Sequence, residues 1–142
     1  MPIDALRALS VQRLADNNAH LYLWTTHRFL RAAFDVMDTW GFRYTTTLTW
    51  SKRPKGIGGG TFISSSEFVL FGVRGSPPVQ KKHMGTVFQW PRSNNHSQKP
   101  DHFYDLVEQL SPGPYVELFA RRHRLGWDVW GDESAHTAEL AV

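Results

Sequence analysis

Residues 113–133 read GPYVELFARRHRLGWDVWGDE and gather side chains that could do chemistry around two short apolar runs. The turn Pro112-Gly113-Pro114 can only bend or extend the backbone. Tyr115, Val116, Leu118 and Phe119 follow, interrupted by one acid, Glu117, and the run breaks off in Ala120, Arg121, Arg122, His123 and Arg124. A second run, Trp127 to Trp130, stops at Gly131-Asp132-Glu133. Polar loops at the carboxyl ends of strands are where open α/β sheets bind ligands, and an acid ending a later strand suits a ribose hydroxyl pair. The same pattern also fits an ordinary buried strand with a solvated basic turn.

Three further groups bear on chemistry. The loop KRPKGIGGG, residues 52–60, follows one strand-like segment and precedes another. A phosphate-binding glycine loop would need a helix N-terminus after it, so the loop reads as a basic hairpin. Lys52, Arg53 and Lys55 would then be free to meet phosphates, or simply solvated. The seven histidines are scattered, without paired spacing on a helix face and without cysteines, so no metal site is expected. Of the six tryptophans, Trp24, Trp40, Trp127 and Trp130 fall inside helices or strands and read as core. Trp50 and Trp90 flank basic loops, where an indole either joins the core or stacks on an extruded base.

The elements that must position these groups alternate. Apolar spacing predicts helices over residues 2–15, 29–40 and 101–110, the second stopped by Gly41. Strands are expected over 19–26, 44–51 and 67–73, then at the two runs described above. Residues 79–98 show little periodicity and read as a long loop. Strands alternating with helices predict an α/β fold with a mostly parallel sheet. The segments 44–51 and 67–73 have no helix between them and should pair antiparallel as a hairpin at the sheet edge.

Composition sets the outer limits. A chain of 142 residues, 41% hydrophobic and 13% aromatic, is long enough for one globular domain with a core. The charge of +3 and pI near 9.4 permit a polyanionic partner without demanding one. Absence of cysteine excludes disulfides and thiolate metal sites and suits a reducing compartment. The first residues carry no basic n-region, and the longest apolar run is too short to cross a bilayer. A cytoplasmic protein with no membrane contact is expected.

The order of motifs resembles the S-adenosylmethionine-dependent adenine-N6 methyltransferases of the MT-A type. The resemblance rests on HLYLW (20–24), WGF (40–42), WSK (50–52), EFVLFGVRG (67–75) and HSQKP (96–100). It continues through FYDLVEQLSPG (103–113), ELFAR (117–121) and GWDVWGDE (126–133), so nearly the whole chain is covered in one unbroken order. It implies a Rossmann-like methyltransferase fold with permuted motif order, the catalytic motif early and the cofactor strand late. S-adenosylmethionine is the implied cofactor and DNA or RNA the implied partner. A second methyltransferase-like subunit or a second copy of the chain remains open.

The resemblance also assigns residues. Glu117, Leu118 and Phe119 would lie on the cofactor strand, with Arg121, His123 and Arg124 lining the cofactor loop. Asp132 and Glu133 would approach the ribose, although the family often has Asn and Gln there, and Lys99 would pair with the methionine carboxylate. Trp50, Lys52, Arg53 and Glu67 would surround the incoming adenine, with Arg92, His96 and Ser97 in a loop beside it. The family's catalytic signature, Asp-Pro-Pro followed by Trp or Tyr, does not occur; the only Pro-Pro pair, Pro77-Pro78, follows Ser76 in a turn. The chain is therefore expected to lack, at its N-terminal side, the strand that carries this signature. Two accounts fit: part of an active enzyme, or a catalytically silent relative that binds nucleic acid or a partner subunit.

Overall fold

The computed structural model describes residues 2–52, 60–91, 99–119 and 124–130. Two helices, α1 (Ile3–Ala8) and α2 (Val11–Leu14), stand where the apolar stripe predicts one. Leu9 and Val11 are both buried, at 4% and 5% exposure. Side chains two residues apart on a helix point about 200° apart, so one continuous helix could not bury both. The backbone leaves the helical region at Leu9 and Ser10 and turns both inward.

β1 (Ala19–Thr25), α3 (Leu30–Thr39) and β2 (Arg43–Ser51) then form a strand–helix–strand unit. α3 buries Ala33, Val36 and Met37. It closes at Gly41, whose φ of 84° lets the Phe42 amide donate back to the Met37 carbonyl at 3.2 Å. This is the glycine-terminated helix end that the sequence predicts.

β3 (Ser66–Arg74) lies between β1 and β2 and is antiparallel to both. Val69 and Leu70 point to opposite faces, and both have 0% exposure. Covered faces on both sides explain the unbroken apolar run of this strand. Gly72 lets α3 pack closely: a Cβ there would lie 2.9 Å from the Met37 sulfur. Outside β2, the short β4 (Val87–Phe88) adds in parallel, within the segment read as a long loop.

Two expectations are corrected here. The sheet, in the order β1-β3-β2-β4, is mixed, and its long pairings are antiparallel rather than mostly parallel. The hairpin of β2 and β3 pairs as expected but sits in the middle of the sheet, because β1 and β4 flank it. β1 and β2 do run the same way, as a strand–helix–strand unit requires, and the later strand inserts between them.

α4 (Asp101–Leu110) leads into β5 (Tyr115–Leu118) and β6 (Trp127–Trp130), a parallel pair forming a second sheet. Both sheets separate the same two apolar layers. On the α3 side pack Leu21 and Leu23 of β1, together with Leu118, Phe119 and Trp130. On the α4 side pack Tyr22 and Trp24 of β1, together with Tyr115 and Trp127. Yet no Cα of β1 comes within 8 Å of one of β5, whereas paired strands lie about 4.8 Å apart. The two sheets are pieces of one layer with an opening between β1 and β5. No helix among the described residues is long and apolar enough to cross a membrane.

Candidate active site

One edge of this layer collects the described site residues other than Arg124. β1 and β2 end there, at Thr25 and Ser51, and the antiparallel β3 begins there, at Ser66. α4 precedes β5 and packs back along it, since Tyr104 of α4 bonds Glu117 of β5. That places Lys99, just before α4, at the outgoing end of β5 with Glu117, Leu118 and Phe119. Trp24 pairs in register with Val69, and Trp50 with Glu67. Residues two apart on a strand share a face, so Trp24, Trp50 and Glu67 share the α4 side with Glu117 and Tyr115.

The first cluster centres on Glu117. Lys99 Nζ donates to Glu117 Oε2 at 2.7 Å, and the Tyr104 hydroxyl donates to both carboxylate oxygens at 2.9 Å. The Glu117 side chain retains 10% exposure and that of Lys99 24%. Close pairing plus a hydrogen bond from a buried hydroxyl is what keeps a half-buried charge pair tolerable. Beyond Glu117, Phe119 adopts φ of 58°, which swings the chain out of β5 while its amide donates to the Trp130 carbonyl. Tyr104 is a participant that the sequence reading missed. Its signal was a tyrosine in the buried stripe of α4, beside Phe103, Leu106 and Val107, where a phenol needs a partner for its hydroxyl.

The second cluster lies around β2. Lys52 Nζ pairs with Glu67 Oε2 at 2.5 Å and sits 5.1 Å from the Trp50 ring centroid. Lys52 is thus tied down, which corrects the expectation that it is free to meet phosphates; Glu67, diagonal to it across the hairpin, pairs with it. Trp50 is 5% exposed and donates its indole N–H to the Trp90 carbonyl at 2.8 Å. Trp90 stacks on Phe88 with ring centroids 4.4 Å apart. The Trp24 indole meets Trp50 and Phe103 edge to face at 5.9 and 4.9 Å. Its N–H is buried and has no acceptor among the described residues.

A third set of bonds spans the opening between the two sheet pieces. Ser111, at the end of α4 and 5% exposed, has its hydroxyl 2.6 Å from His20 Nδ1 and 2.7 Å from the Tyr22 hydroxyl. Tyr115 donates to the Ser111 carbonyl at 2.7 Å. Burial pushes the Tyr22 phenol up to about 12 and lowers the pKa of His20. Arg124, expected in the cofactor loop, instead turns onto α4. It donates to both oxygens of Glu108, at 2.8 and 3.1 Å, and to Asp105 at 2.8 Å. The Arg124 hydrogen bond chiefly holds the Glu108 carboxyl below its usual range. Arg53, Arg92, His96, Ser97, Arg121, His123, Asp132 and Glu133 lie outside the described residues.

Residues 1–133 match the family model described as MT-A70. The chain belongs to the MT-A70 family. It is 31% identical over 94% of its length to a Medicago truncatula protein named as a putative N(6)-adenosine-methyltransferase MT-A70-like. It is also 31% identical over 94% of its length to the type II methyltransferase M.MunI of a Mycoplasma species. It is 30% identical over 92% of its length to the human N(6)-adenosine-methyltransferase catalytic subunit METTL3. The chain spans 23%, 58% and 24% of those three proteins respectively. Among MT-A70 relatives it therefore corresponds to one portion of each.

Proposed function

We propose that this MT-A70 chain is the cofactor-holding and base-holding portion of a methyltransferase that acts on the 6-amino group of adenine in DNA or RNA. The observation that carries the reading is convergence. Lys99 and Glu117, assigned to the cofactor, lie at the same edge and on the same sheet face as Trp50 and Glu67, assigned to the base. The fold supports a Rossmann-like methyltransferase with permuted motif order, because β1 and β2 run together with a reversed strand between them and the β5–β6 pair comes last.

The donor set fits S-adenosylmethionine. The methionyl end of that cofactor carries one carboxylate and one ammonium, and Lys99 and Glu117 present the opposite charges side by side. Bound there, S-adenosylmethionine supplies an electrophilic methyl on its sulfonium. Tyr104 fixes the Glu117 carboxylate and so the orientation of the amino-acid end. The Lys52–Glu67 pair, held against Trp50, gives the base site one donor and one acceptor in fixed geometry. Holding two reactants in line is worth several kcal/mol of the barrier, so positioning is the contribution these residues make. Transfer to the amino nitrogen releases one proton, and the family's Asp-Pro-Pro signature is implied to accept hydrogen bonds from that amino group and so to position it for the transfer. The opening between β1 and β5, where no Cα pair comes within 8 Å, is the place a strand bearing that signature would take.

The test is methyl transfer from isotope-labelled S-adenosylmethionine to adenine-containing oligonucleotides. A form extended upstream to include the Asp-Pro-Pro strand should label adenine; no transfer from it would refute the enzyme reading. Cofactor binding is separable. S-adenosylmethionine should raise the melting temperature of the present chain, and Lys99→Met should lower its affinity roughly tenfold or more, since a hydrogen bond to a charged group contributes about 1.5–3 kcal/mol. An unchanged affinity in Lys99→Met would remove Lys99 from the cofactor site.

A further inference from the structure

Beside the base site lies a surface that neither cluster uses. The β1–α3 turn carries Arg28 and Phe29 with Arg31 one turn further on, all exposed, and the Arg28 guanidinium sits 5.2 Å from the Phe29 ring centroid. His27 Nε2 lies 2.9 Å from Ser66 Oγ, which pins this turn to the start of β3. Only a few residues before Ser66, Phe62 is 87% exposed and Ile63 47%. The Lys52 amide donates to the Ser65 carbonyl at 2.7 Å, so this segment hangs from the hairpin that holds Lys52 and Glu67. Three residues reach at most about 11 Å, so Phe62 stays within that distance of Ser65.

We propose that this surface is a stacking platform for single-stranded nucleic acid flanking the target adenine, a reading that rests on the proposed function. Phe62 offers a bare ring next to polar neighbours, Thr61, Ser64 and Ser65. Exposed aromatics on a surface that also carries cations are the arrangement with which sequence-tolerant single-strand binders hold bases and phosphates. Arg28 and Arg31 have no carboxylate partner among the described residues, so their charge is free for phosphate. Charge complementarity favours a polyanion over an apolar protein partner, which would leave both guanidiniums buried unpaired. The bases adjoining an extruded adenine are the ones a platform this close to Lys52 and Glu67 would meet.

Titrate the full chain, in its unmodified form, into a fluorescein-labelled single-stranded deoxyoligonucleotide with one central adenine, and into its duplex. The single strand should bind more tightly. Phe62→Ala should weaken it about tenfold, within the roughly 1–3 kcal/mol of a stacked base, while Phe62→Trp retains it. Arg28→Ala and Arg31→Ala should each lower the salt slope by roughly one phosphate contact. Wild-type binding that Phe62→Ala leaves unchanged overturns the platform alone. Absence of any wild-type binding overturns the platform together with the nucleic-acid reading. Light scattering that shows Phe62→Ala breaking a dimer, with oligonucleotide affinity unchanged, assigns the patch to a protein interface and also overturns the platform.

Discussion

Trp24 and Trp50 stand edge to face on neighbouring parts of one sheet face, and differ in one atom's circumstances. The Trp50 indole has an acceptor in the Trp90 carbonyl; the Trp24 indole has none among the described residues. Replacement by Phe removes the same atoms from each, so cavity terms largely cancel in the comparison. Trp50→Phe abandons a part-buried carbonyl, which costs about 1–3 kcal/mol, whereas Trp24→Phe deletes a donor with no acceptor among the described residues. Urea unfolding should therefore place the midpoint of Trp50→Phe below that of Trp24→Phe by an amount equivalent to about 1–3 kcal/mol. Equal midpoints would mean that the Trp90 bond contributes nothing. Glu117 invites a similar comparison. Glu117→Gln keeps the shape and a partner for Tyr104 but leaves Lys99 as a lone half-buried cation. Thermal shift by S-adenosylmethionine should shrink in Glu117→Gln more than in Tyr104→Phe, because only the former deletes a charge from the proposed site.

At the scale of elements, the bonds from β1 to the end of α4 make a seam that titrates at both extremes. Burial raises the Tyr22 phenol from 10 to about 12, so between those values the folded state holds a proton that the unfolded chain has lost. Stability therefore falls as pH rises from 10 toward 12. The His20 pKa is lowered, so near and below 6.5 the unfolded chain takes up protons before the folded one, and stability falls on acidification through that range. Tyr22→Phe should flatten the alkaline limb of melting temperature against pH and leave the acid limb in place; an alkaline limb identical to wild type would detach it from Tyr22. This seam was not legible in the sequence, because Ser111 lies 91 residues from His20 and 89 from Tyr22 and meets them only through folding. What the sequence did reveal was local. The glycine end of α3, the bounds of α4 and the register-free pairing of β2 with β3 all follow from spacing and turn chemistry. Insertion of β3 between β1 and β2 is a non-local choice, and the two-residue β4 is too short to leave a periodic trace. Within the site, Lys99, Glu117, Trp50 and Glu67 came from the family pattern, while Tyr104 answered a buried-phenol requirement that needed the fold to be seen.

For the molecule as a whole, the decisive feature is that one sheet layer arrives in two pieces. The β1–β3–β2–β4 piece and the β5–β6 piece share the α3 layer on one side and the α4 layer on the other, yet β1 and β5 do not pair. In an antiparallel ladder only alternate residues bond inward to the neighbour, so half of the β1 amides face away from β3. Exposed strand edges of this kind are liabilities that proteins cover by pairing. Hydrogen exchange reads this directly. In the present chain the outward amides of residues 19–25 should exchange far faster than their inward neighbours, at rates set by local opening rather than by global unfolding. In a form extended to supply a strand between β1 and β5, the same amides should become as protected as those of β3, and β5 should gain protection with them. If that strand carries the family's Asp-Pro-Pro signature, as the proposed function requires, catalytic competence and edge protection should appear together. Protection already complete in the present chain would show that the opening is filled by its own residues, and the catalytic segment would have to reach the site by another route.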